Sequence, residues 1–428
     1  MKYTKEEARV KKQALTSLQV RAIPPVVKTT GISPTMSMKK KTLFFLVALF
    51  NLAANYAHPV TPTYFKMLHL DNSVFGTAFA VMSFGIFIAS PFWSKIAGLV
   101  NSKSVIAIGC IGYAIAQFLF AVGHTTSLIL IGRLLAGLAC GAFFVGVLNY
   151  IVNLSSETNR GANLTLNATI QTVASALGYF VGGILGAYNV YLSFAVQVIQ
   201  LTLVGILFYL LLEKDSQNTD RLQLSLILKE SNPLKRLEDG RLFMNKAFVL
   251  LFSVSILLYL GYTAFDQSFN YYLKDIFNLS SSFNGIFKGA IGIISLIVNT
   301  SIGLYLMKNT KISKSLIYIL LGASTLMVLI LFSHHLTAYV ISSCVFYGFY
   351  ALSTPLLQDL ITQEAQVETR NLVLGFYQST QSLGQILGAY LAGIIYNFSP
   401  QAPFSLAFLA LLGAFLCSIF YRRKVSTP

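Results

Sequence analysis

Twelve stretches of this chain each run for about 20 residues with almost no charge, and that pattern excludes most folds. A run of that length crosses the hydrocarbon core as a helix, because in lipid a helix satisfies its backbone N–H and C=O groups within one segment. The runs lie at about 42–62, 73–97, 104–123, 126–150, 162–187 and 190–212, and again at about 247–271, 282–307, 313–333, 337–360, 370–396 and 402–421. Composition agrees: 55% of residues are hydrophobic and 11% charged, too apolar for an ordinary water-facing surface. The expected fold class is an all-α membrane protein with twelve transmembrane helices.

One stretch occurs twice. Arg160 to Gly183 aligns without a gap on Arg370 to Gly393, which sets Gln171 over Gln381, Gly178 over Gly388 and Gly183 over Gly393. A copy half a chain away indicates a duplicated unit, hence two pseudo-symmetric bundles of six helices. The expected bundles are 42–212 and 247–421, joined by a polar cytoplasmic linker at 213–246 with a surface helix at Leu222 to Leu228. Residues 1–41 read as a disordered basic tail without the apolar core of a secretory signal, with Met36 and Met38 as alternative starts. Residues 422–428 read as a short second tail. Two fused halves supply the pathway a dimer would otherwise build, so a monomer is expected to suffice.

Basic residues orient the chain, because Lys and Arg gather in cytoplasmic loops. With the amino terminus inside, the cytoplasmic side receives Lys39 to Lys41, Lys95, Lys103, Arg160, Lys235, Arg236, Arg241, Lys308, Lys311, Lys314 and Arg422 to Lys424. The outer loops keep Lys66 and Lys274. The expected location is the cell membrane, multi-pass, with both termini cytoplasmic. The same distribution accounts for the net charge of +16 without nucleic acid, which would need one basic face on a folded domain.

Enzymatic chemistry finds little support. Cys110, Cys140, Cys344 and Cys417 all fall in spans and never pair as CxxC, so neither a metal site nor a disulfide framework is indicated. His69, His124, His334 and His335 sit in or beside outer loops. No phosphate-binding GxxxxGK[ST] occurs, and no cofactor is expected.

Charges inside spans are the sharpest functional signal. Asp266 is the acid placed well inside a span, and a carboxyl at that depth costs a few kcal/mol unless it lines a pathway, carries a proton or pairs with a cation. At about 1.5 Å per residue, Asp266 in span seven, Lys288 in span eight and Arg133 in span four reach similar depths in the outer third, so the three can share a layer. Lys288 is expected to line a substrate cavity there, or can instead snorkel to outside water. Arg133 cannot lose its proton and needs buried acceptors, either in a relay or as a tether between helices. Polar side chains follow at helical spacing: Asn51, Asn55 and His58 in span one, Tyr259, Tyr262, Asp266 and Asn270 in span seven, Tyr347 and Tyr350 in span ten, and Tyr377, Gln381 and Gln385 in span eleven. Such stripes suit a substrate cavity recognising a small molecule by hydrogen bonds and aromatic contact, or interhelical hydrogen bonds. Gly137, Gly178, Gly183, Gly388 and Gly393 permit close helix approach, in a seam on which the halves move or in static packing.

At these residues the chain resembles a family. Gly132-Arg133-Leu134-Leu135-Ala136-Gly137 with Gly141 is similar to the span-four motif of the major facilitator superfamily, and Ser90 to Lys95 with Lys103 resembles its loop between spans two and three. Phe120 to His124 and Ala264-Phe265-Asp266 are similar to Gram-positive quinolone and multidrug efflux pumps of the drug:proton antiporter branch. The resemblance implies alternating access, a cavity lined by spans one, four, seven and ten, and proton coupling through Asp266 and Arg133. Gly98 stands where the loop motif has Asp, and Tyr179 and Ala389 stand where the antiporter motif has Pro after Gly. Three functions follow: proton-coupled efflux of amphiphilic, even cationic, small molecules; transport of a neutral metabolite such as a sugar or nucleoside; or a sensor that keeps a transporter fold without flux.

Overall fold

The computed structural model describes residues 38–214, 243–333, 335–366 and 370–426. Residues 41–428 form one compact unit distinct from 1–40, and of the latter only the start of the first helix is described. Among the described residues every regular element is helical. Span one is Met38–Ala54 followed, after a break, by Thr61–Met67; spans two to six are Val74–Leu99, Ser102–Ala121, Thr126–Leu154, Glu157–Tyr188 and Val190–Leu211. Span seven is Lys246–Asp275, and span eight is Ser281–Val298 continued through a π-turn, Asn299–Gly303, into Leu304–Asn309. Spans nine to twelve are Ile312–Leu331, Leu336–Glu364, Arg370–Tyr396 and Ala402–Ser426. Ten of these helices are long and apolar enough to cross a membrane. The other two are span one, divided by its break, and span eleven, whose apolar content Gln378, Gln381 and Gln385 lower.

Two helices extend beyond the apolar runs that mark them. The helix of span one is described from Met38, ahead of the apolar run at 42, and that of span twelve as far as Ser426, past the apolar run's end at 421. Apolar runs mark only the hydrocarbon portion of a helix, whereas Lys and Arg are good helix formers that carry it onward through the headgroup layer. The expected surface helix at Leu222 to Leu228 lies outside the described residues, as do 1–37 and His334. Asparagine punctuates the chain elsewhere. Asn189 Oδ1 accepts from the Tyr191 N–H at 2.8 Å, and Asn245 Oδ1 accepts from the N–H groups of Ala247 and Phe248, so these side chains satisfy donors at the starts of spans six and seven.

The break at 55–60 is the largest departure from the expected continuous first helix. Pro59 has no N–H to donate, and Pro62 occupies the first turn of the next helix, where its fixed φ favours a restart. Carbonyls released by the break find side-chain donors, as burial in lipid requires. Ala54 O accepts from Gln197 Nε2 at 3.0 Å, Tyr56 O from Ser193 Oγ at 2.7 Å, and Pro59 O from Asn284 Nδ2 at 3.4 Å. Asn284 belongs to the second half, so one of these donors comes from across the molecule. Beyond the break, Tyr64 OH donates among the carbonyls of Phe120, Ala121 and Gly123 at 2.8–3.2 Å, covering the end of span three.

Within the first half, span three packs against spans four and six; within the second, span nine packs against ten and twelve. The halves meet where span two lies on span eleven and span five on span eight. The duplicated glycines explain both contacts. A Cβ on Gly178 would strike Leu52 O of span one, and one on Gly388 would strike Leu260 O of span seven, so each packs its helix against the first helix of its own half. Five residues on, a Cβ on Gly183 would lie 2.7 Å from Ser281 O, in the second helix of the opposite half, and one on Gly393 2.5 Å from the carbonyl oxygen of Ser73, which caps the second helix of the first half. Gly137 plays a local role, where a Cβ would strike Met82 O and bring spans two and four apart. The outer surface is apolar: Ile108, Ile115 and Ile199 are 53%, 57% and 60% exposed, a distribution suited to hydrocarbon.

Candidate functional site

The break in span one leaves a cavity of about 40 Å³ between the halves. His58 and Thr61 face it from the break, Phe75, Phe79 and Met82 from span two, Arg133 from span four, Tyr179 from span five, and Gln267 and Asn270 from span seven. This is room for one or a few water molecules, far below the roughly 300–1,000 Å³ of a pocket holding a drug-sized ligand. His58 stacks on Tyr179 across the cavity, with centroids 5.4 Å apart.

Arg133 is 4% exposed. Its Nη2 donates to Thr61 Oγ1 at a long 3.4 Å, its Nη1 faces Met82 Sδ at 3.8 Å, and its Cζ lies 3.9 Å from the Phe120 ring centroid. Sulfur is a weak acceptor and the hydroxyl contact is long, so most of the five guanidinium N–H donors lack a strong neutral or anionic acceptor among the described residues.

Beside the cavity lies a buried ionic cluster. Lys288 Nζ donates to Asp266 Oδ1 and to Tyr347 OH, the latter at 2.9 Å, while Tyr347 OH donates to the same Asp266 oxygen at 2.8 Å. Asp266 is 7% and Lys288 8% exposed, so the snorkelling option for Lys288 is overturned. The amine finds a carboxylate, a phenol and the Tyr347 ring, 4.9 Å from its centroid, and gains nothing by reaching for the interface. Gln267 Nε2 donates to the second carboxylate oxygen at 3.3 Å. Of the three ions whose depths coincide, two are thus paired and Arg133 stands apart.

The remaining candidates divide. Asn270 faces the cavity, donates to Asp266 O at 3.0 Å and keeps a buried Oδ1 with no hydrogen-bond partner among the described residues. Tyr262 and Tyr350 stack at 3.5 Å with rings 4° apart, and Tyr262 meets Tyr347 edge-on at 6.1 Å, extending the ionic cluster into an aromatic one. Gln381 donates to Tyr259 OH at 2.8 Å, Asn55 to Ser175 Oγ at 3.0 Å, and Asn51 to Val47 O within its own helix. Gln381 and Asn55 thus tie neighbouring helices, Asn51 bonds within its own, and none of the three lines the cavity. Sequence reasoning passed over Phe75, Ala78, Phe79 and Met82, which face the cavity at i, i+3, i+4, i+7 spacing but carry no polar signal. It also passed over Gln267, one position off the Tyr262–Asp266–Asn270 stripe.

At the end of the bundle that the charge bias assigns to the outside, polar contacts join the halves. Lys66 pairs with Asp275 at 2.5 Å, Tyr271 OH donates to Asn72 Oδ1 at 2.6 Å, and Asn397 Nδ2 donates to Asp71 Oδ1 at 2.8 Å. The Asn397 amide, together with the side chain and N–H of Ser73, holds the Asp71 carboxyl below the usual carboxylate range.

Two six-helix halves, close glycine contacts between them and a polar, charged cavity at their junction define a membrane transporter rather than an enzyme. Residues 43–380 and 314–428 match the model of the Major Facilitator Superfamily, and the chain belongs to that family. It is 26% identical over 374 residues to quinolone resistance protein NorA of Staphylococcus aureus (strain MRSA252), covering 85% of this chain and 92% of that one. It is 23% identical over 399 residues to multidrug resistance protein 2 of Bacillus subtilis (strain 168), covering 91% and 98%. Its fold is similar to a crystal structure of the nucleoside transporter NupG, with a TM-score of 0.69 at 17% identity, covering 92% of this chain and 100% of that one.

Proposed function

We propose that this transporter exports amphiphilic small molecules by alternating access, driven by protons that load Asp266. The observation that carries the proposal is the buried Asp266–Lys288–Tyr347 cluster, which ties spans seven, eight and ten together. Span eight also holds the first half, through the Gly183 contact at Ser281 and the Asn284 bond to Pro59 O. A proton on Asp266 removes the charge that holds Lys288. Span eight is then released from its own half while still engaged with the other, so protonation and movement of the halves favour one another. Arg133 in the adjoining cavity joins the same coupling, and His58, Asn270 and Tyr262 contact cargo when the cavity widens.

In this reading the protein lies in the cell membrane as a monomer with both termini cytoplasmic, and residues 42–212 and 247–421 are the moving bodies. The Lys66–Asp275, Asn72–Tyr271 and Asp71–Asn397 contacts then form the outer gate, and the contracted cavity belongs to an outward-closed state. The relatives named for quinolone and multidrug resistance support the efflux reading. In everted vesicles carrying an imposed pH gradient, Asp266→Asn is expected to abolish proton-driven movement of a fluorescent dye; undiminished transport would sink the role of Asp266.

A second reading, transport of a neutral polar metabolite, draws on the unpartnered Oδ1 of Asn270, which faces the cavity without a charge. Proton-independent counterflow of a neutral solute, unchanged by Asp266→Asn, would favour it.

A further inference from the structure

Charge bookkeeping around the cavity points to the cargo. Three ionised groups are buried at the junction of the halves: Asp266, Lys288 and Arg133. Asp266 and Lys288 cancel one another through a direct ion pair. Arg133 has no carboxylate partner among the described residues, and its strongest contacts there are a long hydrogen bond to Thr61 and a weak approach to Met82 sulfur. A guanidinium does not escape by losing its proton, so the site carries one uncompensated buried cation. Burying a charge without a partner is expensive, and the charge turns toward any acceptor that enters. The space it faces is also furnished with other hydrogen-bonding groups: Thr61 Oγ1, Gln267, Asn270 and the His58 ring. Its other walls include Phe75, Phe79, Met82 and Tyr179, which suit an aromatic or aliphatic body and offer a second cation no counter-charge.

We infer that Arg133 is the anchor for an anionic headgroup, and that the transporter's cargo is an amphiphile bearing a single carboxylate. The guanidinium fork matches a carboxylate in two parallel N–H···O bonds, a geometry that a neutral amide cannot reproduce. A cavity of about 40 Å³ is of headgroup scale, while the apolar body enters the space opened as the halves part. A cationic amphiphile, one of the cargo types raised by the sequence, meets repulsion here. The inference rests on the transport reading for the word cargo, yet anion binding at the site does not require a proton on Asp266, because Arg133 has no carboxylate partner among the described residues whatever the charge on Asp266.

Binding tests it without flux. The full chain in lipid nanodiscs is titrated calorimetrically with 2-naphthoate, its neutral isostere 2-naphthamide, and 2-naphthylmethylammonium. Naphthoate is expected to bind the wild type about tenfold or more tighter than the amide, the scale of a charge-assisted hydrogen bond, with the ammonium weakest. Arg133→Gln is expected to bring acid and amide within about twofold, and Arg133→Lys, a point charge without the fork, to retain part of the preference. Equal binding of acid and amide by the wild type, or tighter binding of the ammonium, overturns the inference without need of any variant. So does an acid preference that survives Arg133→Gln. Selective naphthoate binding in a protein whose vesicles show no proton-driven flux supports the anionic site and counts against the coupling proposal alone.

Discussion

Removing Lys288 while keeping Asp266 leaves a carboxylate that is 7% exposed and held, among the described residues, by Tyr347 OH and the Gln267 amide with the Tyr262 phenol beside them. Breaking one side of a buried ion pair costs about 3–5 kcal/mol. These surviving polar contacts place Lys288→Met near the lower end, about 3 kcal/mol. Asp266→Asn leaves the amine a neutral amide oxygen in place of the carboxylate, with Tyr347 OH at 2.9 Å and the rings of Tyr179, Phe269 and Tyr347 within 6 Å, so the lost counter-charge is expected to cost about as much as Lys288→Met. Removing both charges together exchanges an ion pair for two uncharged side chains, a change that is often close to neutral. The double variant is therefore expected to lose at least about 2 kcal/mol less than the sum of the singles. Both groups are buried, so solvent screening does not erode this difference. Chaotrope unfolding in mixed micelles at one pH, followed by circular dichroism for wild type, both singles and the double, closes the cycle. Additivity within about 0.5 kcal/mol would refute the claim that these residues act as a pair.

Two further outcomes concern the contacts between halves. A Cβ at Gly183 would sit 2.7 Å from Ser281 O and 2.8 Å from Gly285 Cα, both backbone atoms, so Gly183→Ala is expected to weaken the closed seam by about 1–3 kcal/mol. Cross-linking between Asp71→Cys and Asn397→Cys should then fall, and an undiminished yield would count against the seam. Asp71 itself supplies a pH test: its carboxyl is held below the usual range in the closed state, so its contribution to closure is complete above the ordinary value of about 3.9 and is lost as pH falls through the depressed one. Accessibility of a cysteine at Asn72 should thus be flat between pH 5 and 8 and rise in acid, with Asp71→Asn removing the rise; a transition inside pH 5–8 would contradict it.

Much of this fold is legible in the chain because membrane burial imposes a blunt pattern: a helix crossing lipid must be apolar for most of its length. The repeat was equally plain, since Gly178 and Gly183 recur as Gly388 and Gly393. Their partners were not. A repeat reports likeness between copies, whereas Gly183 and Gly393 touch the opposite half, and nothing local to either glycine names Ser281 or Ser73. Pro59 and Pro62 signalled the break in span one only to a reader who weighed them against an unbroken apolar run. The site was partly readable for a related reason. Asp266, Lys288 and Arg133 stand out because charges in lipid are rare, but which of the two cations the acid would choose depends on rotamers and helix rotation that spacing does not encode. The span-two wall was invisible because an apolar face toward a cavity and an apolar face toward lipid have the same letters.

The exchange of second helices between the halves bears on how the chain is built. As synthesis proceeds from the amino terminus, spans two and five enter the bilayer long before spans eleven and eight exist to meet them. In water such an orphaned face would invite aggregation, but glycine and alanine facing acyl chains forgo only packing, since lipid is as apolar as the missing helix. The small-residue stripe thus serves as a docking face that can wait in lipid. It also means that the first six spans made alone would be a soluble-in-bilayer half with two unfilled slots, ready to take up a separately made second half.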